Sequence, residues 1–224
     1  MGTRGAIGFI VNGEEKVSYN HMDSYPSYLG KELLKDLTTI SDLNILHENV
    51  RRISMVDASD VPELSPEEIA NLKEFTNTSV GQGDDWYSIL RESQGSIQPY
   101  CRQENPLRYM TDAKGFLYDS LFCEFAYIVN LDTNMVEFYR GFNHHLDAPG
   151  RYACPPALKA ELNAVATNKP NGDYCGVALV GEAPIEAFMQ ATDEQIDTFI
   201  EKLEEYMANF DYENIKTLQI EDNS

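Results

Sequence analysis

Residues 5–11 (GAIGFIV) form an apolar, β-prone run without charge, and residues 16–20 (KVSYN) alternate in character. Between them lies Asn12-Gly13, a pair that tolerates positive φ, so the chain is predicted to open with a hairpin. The uncharged first strand suits a central position with both faces buried. A second hairpin is predicted from Phe122–Leu131 and Met135–Phe142, dense in aromatic and β-branched residues around Asp132-Thr133-Asn134. It is the expected sheet centre. Tyr174–Val180, ended by Gly181 and Pro184, reads as a further strand, and Ile215–Ile220 as an edge strand.

Helical periodicity fills the intervals. Leu29, Leu33, Leu34 and Leu37 repeat at helical spacing after the Tyr25-Pro26 turn. Ser65-Pro66-Glu67-Glu68 supplies a hydroxyl cap, proline at the first helical position and a returning carboxylate, with Ile69, Leu72 and Phe75 continuing the stripe. Asp84-Asp85-Trp86 opens another helix with Trp86, Ile89 and Leu90 inward. Pro155-Pro156 starts one carrying Ala157, Leu158, Leu162 and Val165. Thr192 to Gln195 is a second capping box, leading through Ile196, Phe199, Ile200 and Leu203 to Met207. Strand pairs separated by helices predict an α+β fold: one domain over residues 1–224, a mainly antiparallel sheet of about five strands, and a helix-rich insert from about Leu43 to Met110.

Composition narrows the function classes. The chain has 224 residues, 42% of them hydrophobic and 24% charged, as in globular domains. Asp plus Glu outnumber Lys plus Arg by 37 to 17, giving −20 at pH 7. Both halves are acidic. Binding to a nucleic-acid backbone or an anionic membrane needs a positive footprint that is missing here. No apolar run is long enough to span a bilayer, and the first residues have no secretion-signal pattern. Gly2 without Ser or Thr at position 6 fails the myristoylation motif. Cys101, Cys123, Cys154 and Cys175 are widely spaced, which fits reduced thiols in the cytoplasm better than disulfides or zinc. His144-His145 reads as loop rather than as a metal-ligand pair, and neither metal nor cofactor is expected.

Candidate chemistry concentrates in Tyr19–Ser27, where Asn20, His21, Asp23, Ser24 and Tyr25 follow one another. His21 exchanges protons near neutral pH, and Asp23 could fix its tautomer. Pairing about Asn12-Gly13 brings residues near 4 and 21 side by side, so Arg4 could meet Asp23 or an anionic ligand beside His21. The plain alternative is structural: Asp23 and Ser24 as turn and cap residues, and Arg4–Asp23 as an ion pair. Glu124 lies in an apolar stretch with Arg140 as a cross-strand mate; the pair would either line a pocket or sit on an exposed strand face. Gly-rich residues 77–83 lack the Lys-Ser/Thr of a phosphate loop, and Trp86–Arg91 reads as core. His47 beside Glu48 and the acidic region Asp193–Glu205 read as surface.

Several stretches together resemble a family of uncharacterised bacteriophage and actinobacterial proteins: MGTRG at 1–5, YNHMDSYP at 19–26 with Gly30, WYSILR at 86–91 with Gln94-Gly95, and FCEFAY at 122–127 with Tyr139-Arg140-Gly141. The resemblance implies a phage-type protein in the host cytoplasm and points to interference with a host system. Distant relatives beginning Ser-Thr-Arg or Cys-Thr-Arg after Met invite comparison with N-terminal nucleophile hydrolases, whose leading hydroxyl or thiol uses its own α-amine as base. Here removal of Met1 exposes Gly2, which has no nucleophile, and Thr3 would serve only after further trimming.

Two functions follow as expectations. The first is a pocket of Arg4, Asn20, His21, Asp23, Ser24 and Tyr25, with Glu124 and Arg140 as further contacts, holding a small polar ligand such as a nucleotide, or a host protein segment. The second is a hydrolase with His21 as base, Asp23 as its orienter, Arg4 as anion stabiliser and Thr3 as the residue a nucleophile mechanism would require.

Overall fold

The computed structural model describes residues 2–154, 174–212 and 218–219. β1 (Gly5–Val11) and β2 (Glu14–Asn20) form the expected hairpin, with Gly5 opposite Asn20 and Val11 opposite Glu14. Asn12 and Gly13 take φ of 53° and 75°, the conformation that lets a two-residue turn follow the strand twist. β5 (Phe125–Asn130) and β6 (Met135–Arg140) make the second hairpin, and Asp132 in its turn accepts hydrogen bonds from the backbone of Asn12 (2.6 Å) and Gly13 (2.8 Å). One hairpin turn therefore clamps the other.

β1 pairs in parallel with β5, and β7 (Ala178–Pro184) runs antiparallel to β6. A short β8 (Leu218–Gln219) lies parallel to β7, giving the order β2-β1-β5-β6-β7-β8. The fold is α+β, with a mixed but mostly antiparallel sheet. All seven residues of β1 are buried, as an uncharged central strand requires. Its alternation serves two cores: Ile7, Phe9 and Val11 join one, Ala6 and Ile10 the other.

The first core holds most helices. A π-helical turn at Pro26–Gly30 leads into α1 (Lys31–Thr38), which buries Leu33, Leu34 and Leu37. α2 (Leu43–Arg51), β3 (Ser54–Val56), α3 (Pro66–Asn71), α4 (Trp86–Ile89), α5 (Gln98–Cys101) and β4 (Tyr109–Thr111) make up the insert. Trp86, Ile89 and Leu90 are buried as expected, in the same cluster as β1. α6 (Ile185–Met189) and α7 (Asp193–Ala208) complete this layer, and α7 carries the predicted capping box at Thr192. Among the described residues no helix is long and apolar enough to cross a membrane.

Several boundaries differ from expectation. The helix capped by Ser65 ends at Asn71, and Lys73–Phe75 forms a separate 3₁₀ turn. No residue of α3 is buried, so packing does nothing to lengthen it. The insert also holds a small parallel β3–β4 pair that periodicity did not reveal. β7 begins later than expected and runs through Gly181 to Pro184, with a register shift opposite Phe138/Tyr139. Pro184 is tolerated as the last strand residue. The helix expected from Pro155 lies outside the described residues, as does the Ile215–Ile220 strand apart from Leu218–Gln219.

The second sheet face buries a carboxylate that sequence reading overlooked. Glu137 of β6 is 3% exposed and is satisfied by Asn130 Nδ2 (2.6 Å), the Tyr139 hydroxyl (2.5 Å) and Arg151 (2.6 Å). Removing it leaves the buried Asn130 and Tyr139 without this acceptor, while Arg151, whose side chain is 40% exposed, can turn to water. Glu137→Ala is expected to lower the unfolding free energy by about 3 kcal/mol, read by urea denaturation.

Candidate functional site

The hairpin register places Arg4 and His21 just beyond the last β1–β2 pair, Gly5 with Asn20. From there the chain turns sharply. Asn20 Nδ2 donates to the Met22 carbonyl (2.5 Å) and to Ser24 Oγ (2.9 Å), and Asp23 sits at φ 54°, a conformation its short side chain tolerates. Ser24 is fully buried: its N–H donates to the Thr3 carbonyl (3.1 Å), and its own carbonyl accepts the Tyr127 hydroxyl (3.0 Å). Gly5 makes this close approach possible, because a Cβ there would lie 2.6 Å from the Ser24 Cβ. Asn20 and Ser24 thus fold the turn, whereas the structural alternative had named Asp23 and Ser24; Ser24 caps no helix, since the N-cap of the following helical turn is Tyr25, without a side-chain cap bond.

The turn forms one wall of a cleft of about 550 Å³. Asn20, His21, Met22 and Asp23 lead into Tyr28, Leu29, Glu32 and Asp36 on this wall, and the last two lie one helical turn apart on α1. The insert supplies the other wall: Asn77, Val80, Arg91, Glu92, Gln94, Gly95 and Ser96. Gly95 packs so closely on Asn20 that a Cβ would meet its Oδ1 at 2.4 Å. The Gly-rich loop is not an idle connection. Buried Asp85 and Ser88 tie it down through Gln82 N–H (3.1 Å) and Gly83 N–H (3.1 Å), holding Asn77 and Val80 at the cleft.

Other expected contacts form differently. His21 is exposed and its Nδ1 lies 3.0 Å from the Tyr19 hydroxyl, whereas Asp23 accepts from the Tyr25 hydroxyl (3.3 Å). Arg4 does not ion-pair with Asp23; its guanidinium lies 5.5 Å over the Phe122 ring. Arg140 lies 4.4 Å over Phe125 and donates to the Glu124 backbone carbonyl (3.4 Å), not to its carboxylate. The register explains this: Arg140 stands opposite Phe125, and the neighbouring side chain points to the other face. Thr3, Arg4, Ser24, Tyr25, Glu124 and Arg140 are absent from the cleft lining.

The cleft is rich in carboxylates, none of which pairs with Arg91. Asp36 accepts from Ser96 Oγ (3.2 Å) and Gln98 N–H (3.0 Å), yet burial outweighs these bonds and pushes its pKa up from 3.8 to about 6. Glu92 accepts from Asn77 Nδ2 (2.8 Å), and Glu32 has only Lys35 at 3.9 Å. Arg91 donates to Gln94 Oε1 and lies 5.5 Å over the Tyr87 ring. Among the described residues no three His, Cys, Asp or Glu side chains gather closely enough to hold a metal ion. His144 stacks near Tyr174, with ring centroids 4.1 Å apart.

Asp36, Arg91 and Glu92 were not among the expected site residues. The core reading of Trp86–Arg91 holds for Trp86, Ile89 and Leu90, and only Arg91 at the end of that stretch reaches the cleft. Set against protein-family models, curated proteins and solved structures, the chain matches none of them.

The Asp36 environment has a stability consequence. Between about pH 4 and pH 6 the folded state retains a proton that the unfolded chain has lost, so stability falls as pH rises through this window. Asp36→Asn is expected to remove that fall and to raise stability at pH 7 by about 1 kcal/mol, after allowance for solvent screening. Thermal melts of both proteins from pH 4 to pH 7 check this.

Proposed function

We propose that this chain binds a small polar molecule bearing a positive charge in the cleft between the Asn20–Asp23 turn, α1 and the insert. One observation carries the reading: four carboxylates (Asp23, Glu32, Asp36 and Glu92) line the cleft with one arginine, and none of the four forms an ion pair with it. A cation entering such a space gains from all four, and a partly desolvated carboxylate such as Asp36 attracts it more strongly than a water-exposed one. A cleft of this volume suits a compact ligand. The exposed faces of Tyr28 and Met22 at the rim add apolar and cation–π contact.

The same charges disfavour the nucleotide considered from sequence, since phosphate would meet carboxylates. They also replace the expected anchor: Arg4 packs on Phe122, so charge selection in the cleft falls to α1 and Arg91. Binding is preferred to hydrolysis because His21 contacts a tyrosine hydroxyl while Asp23 contacts another, which supplies no His–carboxylate dyad to raise the basicity of the imidazole. Use of this binding against a host system rests on the phage-type motifs alone.

Calorimetric titration with agmatine and putrescine is expected to show binding at pH 7.5. Affinity should weaken as pH drops through 6, where Asp36 takes up a proton. Glu32→Gln combined with Asp36→Asn should weaken binding at pH 7.5 about tenfold or more. Absence of heat with both amines, or equal binding of succinate, would sink the proposal.

A further inference from the structure

Arg91 is the one arginine lining the cleft, and its contacts are unusual for a cation among carboxylates. Its guanidinium rests on the Tyr87 ring and donates to the Gln94 amide oxygen. The nearest carboxylate in sequence, Glu92, is engaged by Asn77, and Asp23 is engaged by Tyr25. His21, whose Nδ1 lies 3.0 Å from the Tyr19 hydroxyl, lines the same cleft from the turn, and Arg91 lines it from the insert. Among the described residues Arg91 has no carboxylate mate. Glu32, 3.9 Å from Lys35, and Asp36, which accepts from Ser96 and Gln98, lie one turn apart along α1 and supply adjacent negative charge for a cation.

We infer that the ligand is a zwitterion: an amine or guanidinium held by Glu32 and Asp36, and a carboxylate held by Arg91, the chemistry of a free basic amino acid. This rests on the cation-binding reading above and adds the anionic half to it. Arginine suits a single carboxylate because its planar fork presents paired donors. Were the cleft selective for positive charge alone, a dication would bind better than a molecule of net charge +1, so the two readings predict opposite orders.

L-arginine and agmatine differ by that carboxylate, and arginine methyl ester masks it. Calorimetry on the unaltered chain at pH 7.5 should find L-arginine about fivefold or more tighter than both agmatine and the ester. Arg91→Met should abolish the preference for L-arginine, so that agmatine, relieved of a like charge in the cleft, binds at least as tightly as L-arginine. If that variant fails to fold by circular dichroism, the ester comparison decides, since it needs no substitution. Agmatine binding to the unaltered chain as tightly as L-arginine or tighter overturns the zwitterion while leaving the cation site standing. No binding by any of the three overturns both.

Discussion

The burial of β1 on both faces constrains everything else in the molecule. This strand has β2 on one side, closed by Asn12-Gly13, and β5 on the other, paired in parallel. β2 ends at Asn20 and β5 starts at Phe125, both beside Gly5, so the chain between them leaves and re-enters the sheet at one end and packs over one of its faces. That layer is α1 and the insert. Their apolar side chains, from Leu33 to Trp86 and Tyr100, join the cluster containing Ile7 and Phe9.

The cleft is a product of this layer. The chain leaves β2 at Asn20 and turns at once, because Ser24 is drawn beneath Thr3 and held by the Tyr127 hydroxyl from β5. The same chain later returns through residues 77–96, where Gly95 packs against Asn20. Departure and return form the two walls. Rigidity comes from backbone-directed bonds on one side and the Asp85–Ser88 arrangement on the other.

Electrostatics then separates the acidic surface from the acidic cleft. Most carboxylates of a −20 chain lie in water, where each costs little and binds weakly. Asp36 differs because α1 places it against Ser96 and Gln98 with part of its solvent removed. Its raised pKa makes it a poor contributor to stability and a strong attractor of positive charge. Glu137 shows the contrasting solution, a carboxylate whose oxygens are taken up by neighbours and which serves the fold alone.

Local chemistry determined the hairpin at Asn12-Gly13, the capping boxes at Ser65 and Thr192, the leucine stripe of α1 and the adjacency of residues near 4 and 21. Each depends on side chains within a few positions, so each is legible in the chain itself. The polar cluster Asn20–Tyr25 was legible as unusual, but its division of labour was not. Whether Ser24 supports the turn or faces a ligand depends on Tyr127, about a hundred residues away, and the cation that shares the cleft with His21 is Arg91 rather than Arg4 because the insert folds back across α1. The expected Glu124–Arg140 pair gave way to Arg140 over Phe125 through the alternation of β5. Strand register and the return path of a long connection are settled by the packing of distant segments, and that information exists only once the sheet has closed on its helices.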